Sequence, residues 1–250
     1  MADLFTEDIH LMDESFDPRE TGNYGLAILM EDSRITFCIL DFRRNKFLGL
    51  RSLVKAGMSS HPVLMGQKLS FGDFLDAIYA GLPWLKNPFR QIRIALDTVK
   101  STLVPAPIYD PDEMGRYLEF NFRPGKDEKV ASDHLLSMDS FNIYAAPAAM
   151  MNALHDLPHE SSVVSCSSLL IESIWINFKN RLNSPRVFLH MRHGHFDILV
   201  FDGRQMTYFN TFSFVNPDDV VYYLIFVMEQ LDLNPEIVPV VLTGAVDQES

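Results

Sequence analysis

The sequence uses one order of elements twice, and this repetition constrains the fold more than any other feature. Between Arg186 and Thr243 the residue pattern predicts three strands, a helix and a fourth strand. The segment from Tyr24 to Thr98 has the same order, with strands predicted over 24–30, 34–41, 46–53 and 92–96. A twice-used βββαβ unit indicates an α/β protein with mixed sheets, built from two related halves.

Short motifs mark where the predicted elements begin and end. Asp202-Gly203 predicts a hairpin, because a type I′ turn needs the positive φ that Asp and Gly tolerate. The run from Asn216 to Asp219 predicts a helix start with Asn as the cap and Pro in the first turn. In the first unit, Ser70 and Asp73 have the spacing of a capping box. The strand predicted over 204–212 places three large side chains on one face, namely Met206, Tyr208 and Phe212.

A segment of different character, residues 99–146, separates the first unit from the rest of the chain. Prolines keep its start, 103–109, extended, and Asp110 with Pro111 predicts a short helix. We interpret this segment as a subdomain inserted in the first half. The predicted domains are therefore 1–182, which includes the insertion and a buried helix from Ser167, and 183–250.

Composition excludes several classes of function. The chain has 250 residues and a formal net charge of −12, and its longest basic cluster is the pair Arg43-Arg44. Nucleic-acid binding is not expected, because such proteins carry basic surfaces that displace counterions from phosphate. No run approaches the roughly 20 apolar residues of a membrane helix, so we expect no membrane insertion.

Two further features of composition concern compartment and the N-terminus. With Cys38 and Cys166 as its cysteines, the chain does not fit a disulfide framework. The first residues lack the basic region of a signal peptide, and we expect a cytoplasmic protein. The acid-rich residues 1–20 fit a surface arm or a strand that pairs with a sheet.

Two clusters carry residue types that catalyse reactions or bind metals. His190, His193 and His195 straddle a hairpin, and histidines across a hairpin can converge on zinc, although His193 beside Gly194 also suits an ordinary turn. The serines around Cys166 lack the glycines of a nucleophile elbow, so helix capping is the better interpretation. The chain has no GxxxxGK[ST] and no GxGxxG phosphate loop.

Several motifs resemble those of one uncharacterised bacterial family, which is catalogued only as a domain of unknown function. They are Leu103–Tyr109 (LVPAPIY), Tyr208–Phe212 (YFNTF), Tyr222-Tyr223 and Glu229–Pro235. That family is described as having the actin-like ATPase fold, which consists of two ribonuclease-H-like domains. The resemblance covers essentially the whole chain and implies this fold, but it brings no established activity.

The fold implies where ATP and magnesium would bind, if they bind. Nucleotide-binding members use acidic and glycine-rich turns in the first hairpin of each half, and here the matching positions give Glu31 and Asp32 without a glycine. The hairpin at His190–His195 has a glycine and no acid, and Gly244 partly matches the adenosine motif. The first strands also lack the carboxylates with which ribonuclease-H-like nucleases hold paired metals. The phosphate-binding motifs therefore look degenerate, and we expect neither catalysis nor a required cofactor.

The sequence supports three hypotheses for function. The first is a non-catalytic scaffold or protein-interaction module. The resemblance alone implies a protein partner at 99–146, because cell-division and pilus-assembly members of the superfamily bind partners through the inserted subdomain. The second is an ATP-binding switch that uses Glu31, Asp32 and Gly244 in the cleft between the halves. The third is a metal-dependent enzyme at His190, His193 and His195.

The end of the chain motivates one more expectation. After Leu242 the fold normally adds a helix, a strand and another helix, whereas this sequence stops at Ser250. We expect an exposed sheet edge there, covered by a partner or by a second copy in a homodimer, because uncovered edges promote association.

Overall fold

The computed structural model describes residues 5–31, 34–55, 76, 78–155 and 161–246. Residue contacts divide the chain into two compact units. The first comprises Met1–Asp97, Lys126–Lys129 and Ala146–Cys166, and the second comprises Thr98–Gly125, Val130–Ala145 and Ser167–Ser250.

The first unit contains a six-stranded mixed sheet with the order β1-β4-β3-β2-β5-β9. Its strands are β1 (Phe5–Met12), β2 (Tyr24–Met30), β3 (Arg34–Asp41), β4 (Lys46–Lys55), β5 (Gln91–Leu96) and β9 (Ser161–Ser165). The meander β2–β3–β4 is antiparallel, and β5 pairs in parallel with both β2 and β9. Strands β2, β3, β4 and β5 are the four that the sequence predicts for the first half. The predicted Ser70–Asp73 capping box lies outside the described residues.

The N-terminal segment is a pairing strand. β1 runs antiparallel to β4 at the edge of the sheet, with a bulge between Glu7 and Ile9. Ion pairs join β1 to other strands of the sheet: Asp8 pairs with Arg34 of β3, and Glu7 pairs with Arg51 of β4. Of the two interpretations of residues 1–20, the strand is therefore the correct one for residues 5–12. Charge and a bulge are the usual means of protecting a sheet edge.

The second unit contains a four-stranded sheet with the order β12-β11-β10-β13. Its strands are β10 (Arg186–Met191), β11 (His195–Asp202), β12 (Gln205–Ser213) and β13 (Val240–Gly244). β11 is buried along almost its whole length, because helices pack on both faces of the sheet. The prediction of a meander followed by a helix and one more strand is confirmed, and the structure shows that this last strand, β13, pairs in parallel with β10.

Two helices cover this sheet. Helix α3 (Cys166–Phe178) packs on the face that carries Phe188, Leu199 and Phe201, and helix α4 (Pro217–Gln230) packs on the other. α4 begins with the predicted cap: the Asn216 side chain accepts from the Asp219 N–H, and the Asp219 carboxylate accepts from the Asn216 N–H. Such a reciprocal cap contributes about 1 kcal/mol.

A three-stranded antiparallel sheet, β6-β8-β7, forms from the segment predicted as an insertion. Its elements are β6 (Ser101–Pro105), β7 (Glu128–Leu135), β8 (Ser140–Pro147), the short helix α1 (Met114–Glu119) and, next along the chain, α2 (Ala148–His155). Asp110 caps the turn before α1, since its side chain accepts from the Asp112 N–H. By contact density, most of this segment belongs with the second unit. The predicted domain bounds, 1–182 and 183–250, concern repeat ancestry and stay a prediction.

One detail of the second meander differs from the prediction. Val200 pairs with Tyr208 and Phe201 with Met206, so a bulge at Thr207 shifts the register. Met206 therefore lies on the α3 face, whereas Tyr208 and Phe212 lie on the α4 face. The expectation of one common face was wrong because simple alternation does not anticipate a bulge.

Within the described part of the chain, none of the helices has the length and apolar character needed to cross a membrane.

Candidate functional site

A large groove lies in the second unit. Its volume is about 1140 Å³. The lining comes from β6, from the turn between β7 and β8, from the loop after α1, and from β12 with the turn before it. It exceeds the roughly 300–1,000 Å³ of typical small-molecule pockets, which suits a longer ligand.

Two sheet edges face this groove. β6 is the end strand of the three-stranded sheet, and β12 is the end strand of the four-stranded sheet. The two strands contact each other, and residues 101–105 and 205–211 both contribute to the lining. An end strand leaves a row of backbone N–H and C=O groups without a neighbouring strand, which can pair with an added chain.

The bulge in β12 shapes its side of the groove. Because one extra residue is inserted at Thr207, Met206 and Phe209 both turn to the α3 side, where they pack against the buried cluster around Phe201. Thr207 itself is exposed, and its hydroxyl donates to the Val200 carbonyl over 3.3 Å. Bulges at sheet edges commonly re-aim side chains in this way.

The opposite wall is held in place by a carboxylate. The turn between β7 and β8 carries Leu136, which is 79% exposed. The Ser137 N–H donates to the Glu172 carboxylate of α3 over 3.1 Å, so a residue 35 positions away fixes this turn. Asp139 adopts a positive φ of 47°, and its carbonyl accepts from the Ala106 N–H over 2.9 Å.

The groove is close to electrically neutral. Arg204 and Asp139 are the charged residues among the described residues that line it, and their charges are opposite. Leu103, Met206 and Phe209 give it an apolar floor. Tyr208 lines it too, and burial raises the pKa of its phenol, so the hydroxyl is un-ionised at neutral pH. A neutral groove is poorly suited to a polyphosphate and well suited to an uncharged stretch of polypeptide.

A buried ion pair lies beside the groove. Arg192 Nη2 donates to Asp197 Oδ1 over 2.5 Å, and the Thr211 hydroxyl donates to the same oxygen over 2.6 Å. The two charged side chains are 5% and 1% exposed. Thr211 also lines the groove. The charge of Arg192 is therefore neutralised inside the protein.

The predicted nucleotide residues have structural contacts. Gly244 has a φ of +91°, and a Cβ built there would lie 2.1 Å from the Met191 carbonyl oxygen. The glycine is thus required for the end of β13 to approach β10. The Glu31 N–H donates to the Arg34 carbonyl over 2.9 Å and closes the first hairpin, while Asp32 lies outside the described residues. Glu31 and Gly244 belong to different compact units, and ATP binding stays a prediction.

The three histidines differ in position. His190 Nδ1 hydrogen-bonds the Thr243 hydroxyl over 3.0 Å, His193 is exposed in the turn, and His195 is buried at the start of β11. Among the described residues, no group of three or more His, Cys, Asp or Glu side chains is placed to hold a metal ion. The metal-site prediction therefore lacks a ligand set in this part of the chain.

Sequence reasoning directed attention to 99–146 but missed the other half of the groove. The contribution of β12 depends on the bulge at Thr207 and on the placement of two sheet edges, neither of which has a local sequence signal. The contact between Glu172 and the Ser137 N–H joins residues 35 positions apart, which local patterns do not predict. A lone acid on a mostly apolar helix is the available sequence signal, because a half-buried carboxylate needs a hydrogen-bond donor.

The topology of the two units defines the class: this is a protein of the actin-like ATPase fold. A solved structure of a Bacteroides thetaiotaomicron VPI-5482 protein, described as having an actin-like ATPase fold and unknown function, has a TM-score of 0.78 with 20% sequence identity. The match covers 94% of this chain and 87% of that one. The family model described as "Protein of unknown function (DUF3822)" matches residues 13–250, and the chain belongs to this family.

A second solved structure is more distant. The PilM–PilN type IV pilus biogenesis complex gives a TM-score of 0.50 at 12% identity, covering 88% of this chain and 81% of that one. At such identities both similarities concern the fold alone. A search of curated proteins found no match. The predicted family and fold are thus confirmed, and the function of the family is unknown.

Proposed function

We propose that the protein is a non-catalytic interaction module that binds an extended segment of a protein partner in the groove between β6 and β12. The observation that carries this proposal is that two end strands flank one neutral groove within a single compact unit. The first hypothesis from the sequence, a partner surface at 99–146, is thereby extended to β12. We place the protein in the cytoplasm, which agrees with the finding that Cys38 and Cys166 form no disulfide.

Strand addition explains the chemistry of the groove. Main-chain hydrogen bonds to an edge provide affinity, and pockets for alternate side chains provide specificity. Here β12 offers an unpaired edge, while the apolar floor of Leu103 and Phe209 accepts side chains from the added segment. Pro105 at the end of β6 removes one donor there, so β12 is the better edge for pairing.

The similarity to the PilM–PilN complex supports an interaction role. In that complex, a protein of related fold is bound to another protein. A nucleotide site has no corresponding support. The groove lining is neutral, Arg192 is paired with Asp197, and Gly244 has a structural role at the end of β13. We therefore rank partner binding above the ATP switch and above the metal enzyme.

The proposal is tested by a paired capture experiment. Leu136→Arg and Thr207→Arg place a charge in the groove at exposed positions, where neither change disturbs the core. Ile176→Arg is the matched control, because Ile176 is 62% exposed on α3 and does not line the groove. We expect the wild type and Ile176→Arg to retain the same partner and both groove variants to lose it, with unchanged melting temperatures.

Two results would contradict the proposal. One is retention of every partner by both groove variants. The other is calorimetric binding of ATP with magnesium tighter than about 100 µM, about −5.5 kcal/mol, which would favour the nucleotide switch instead. We expect no heat of binding at millimolar nucleotide.

A further inference from the structure

A second surface, formed by α4 and β13, is apolar and has nothing packed on it in the described chain. We define this surface by four exposed side chains, which are Val221, Ile225, Val240 and Leu242. It lies on the second unit and shares no residue with the groove between β6 and β12. Single exposed apolar residues are ordinary, but a contiguous set marks an interaction site.

The register of β13 shows that the face next to α4 is left open. Val240 pairs with Val187 and Leu242 with Leu189, so these pairs project to the same side of the sheet. Val187 and Leu189 are 0% and 5% exposed because α4 covers them, whereas Val240 and Leu242 are 41% and 51% exposed. α4 therefore stops one strand short of the sheet edge.

The orientation of α4 shows which of its residues border this open strip. Tyr223 stacks on Phe212 of β12 at a centroid distance of 4.6 Å, so that side of the helix faces β12. At about 100° per residue, Val221 and Ile225 lie on roughly the opposite side, toward β13. They form the wall of a step whose floor is Val240 and Leu242. A step of this shape fits one further helix lying alongside α4.

The charges around the step determine the chemistry of its occupant. From Gln205 to Ser250 the sequence has no Lys or Arg. The carboxylates of the described part of this segment are Asp218, Asp219, Glu229, Asp232 and Glu236. Arg186, at the start of the neighbouring strand, is in line with Phe188 on the α3 face and is therefore on the other side of the sheet. The segment that forms the step thus carries carboxylates and no basic residue. Asp218 lies one helical turn before Val221, and Glu229 lies one turn after Ile225, so these two carboxylates flank the apolar pair on α4. We call these carboxylates the acidic rim.

We propose that the α4–β13 surface is the docking site for a basic amphipathic helix of a protein partner. The apolar stripe of that helix covers Val240 and Leu242, and its lysines or arginines meet the acidic rim. This is the helix-in-groove mode of recognition, with charge complementarity that steers the encounter. A second copy of the chain is disfavoured as the occupant, because it would bring the same acidic rim. An anionic membrane surface is disfavoured for the same reason.

The test uses the full-length protein and a defined probe. The probe is a fluorescein-labelled helical peptide of leucine and lysine with the length of α4 and leucines at i, i+3, i+4 and i+7. A scrambled peptide of the same composition has the same charge but no stripe, and a leucine–glutamate peptide keeps the stripe but reverses the charge. Fluorescence anisotropy measures the affinity of each.

Single substitutions assign the binding to this surface. Val221→Lys and Leu242→Lys introduce a charge at positions 60% and 51% exposed, and Ile176→Lys is the control at 62%. We expect the striped lysine peptide to bind the wild type and the control equally, and to bind both surface variants at least tenfold more weakly. Leu136→Arg in the other groove should leave this affinity unchanged, so the two proposals fail independently.

Three outcomes would overturn this inference. The first is that the scrambled or the glutamate peptide binds as tightly as the striped lysine peptide. The second is that Val221→Lys and Leu242→Lys bind the striped lysine peptide as tightly as Ile176→Lys does. The third is that the wild type self-associates in sedimentation and that Val221→Lys abolishes this association. The last outcome would assign the surface to a homodimer instead. Unchanged melting temperatures of the variants show that a loss of binding is not a loss of folding.

Discussion

The buried pair of Arg192 and Asp197 gives the sharpest prediction about stability. We consider Asp197→Asn, which keeps the size of the side chain and removes its charge. The substitution removes the negative charge that the Arg192 guanidinium, 5% exposed, meets at Asp197. It also weakens the acceptor of the Thr211 hydroxyl, 2.6 Å away.

The expected cost follows from the environment of the pair. At an effective dielectric constant of about 20, two unit charges about 4 Å apart attract by roughly 4 kcal/mol. Removing one partner of a buried pair typically costs about 3–5 kcal/mol, because the remaining charge is uncompensated. We therefore expect Asp197→Asn to lower the free energy of unfolding by about 3–5 kcal/mol. Replacing both residues, as in Arg192→Met with Asp197→Leu, should cost less than either single change.

Urea denaturation followed by circular dichroism measures these differences for the wild type, both single variants and the double variant. A loss below about 1 kcal/mol for Asp197→Asn would refute the reasoning, since it would mean that water reaches Arg192. So would a double variant whose loss equals the sum of the two single losses, because the residues would then be uncoupled.

Three further predictions concern single residues. Gly244→Ala should destabilise the protein by about 2–5 kcal/mol in urea denaturation, because φ is +91° and the added Cβ meets the Met191 carbonyl. A variant as stable as the wild type would show that β13 can shift to make room. Backbone hydrogen bonds from Val215 and Asn216 lower the pKa of Asp219 below its ordinary value of 3.8. The wild type should therefore be more stable than Asp219→Asn above pH 3.8, and this difference should disappear as the pH falls through the folded-state pKa. A difference in melting temperature that does not change with pH would contradict this. Glu172→Ala should lower the free energy of unfolding by about 1–3 kcal/mol, because the Ser137 N–H loses its acceptor. Glu172→Gln should lower it clearly less, since the amide oxygen still accepts, and equal losses for the two variants would show that the hydrogen bond is not the cause.

Local sequence signals predicted most of the secondary structure. The cap at Asn216 and the bounds of β2 and β3 follow from short-range rules that do not depend on tertiary context. The hairpin after Asp202 is also present, but of the predicted Asp202-Gly203 pair Gly203 alone has a positive φ, of +57°, so the turn is not the predicted type I′. The tandem order of elements predicted mixed sheets in two related halves, because few topologies satisfy two successive βββαβ units. The actin-like ATPase fold was implied by the resemblance to the family.

The candidate site was less accessible from sequence because it depends on tertiary placement. The groove needs β6 and β12 near each other, and these strands are about a hundred residues apart in the chain. The bulge at Thr207 decides which side chains of β12 reach it, and the residues there have no glycine or proline to mark a bulge. Likewise, Arg192 was passed over because nothing in the local pattern indicates that Asp197 neutralises it.

Hydrogen–deuterium exchange in the presence of the captured partner tests the central claim most directly. If an extended segment adds to the groove, amides of β12 and β6 should gain protection, because the added strand hydrogen-bonds to the open edge. The strongest effect is expected in Gln205–Ser213, and Thr207→Arg should abolish it while Ile176→Arg does not. Protection confined to other parts of the chain, with 205–213 exchanging as in the free protein, would contradict the account.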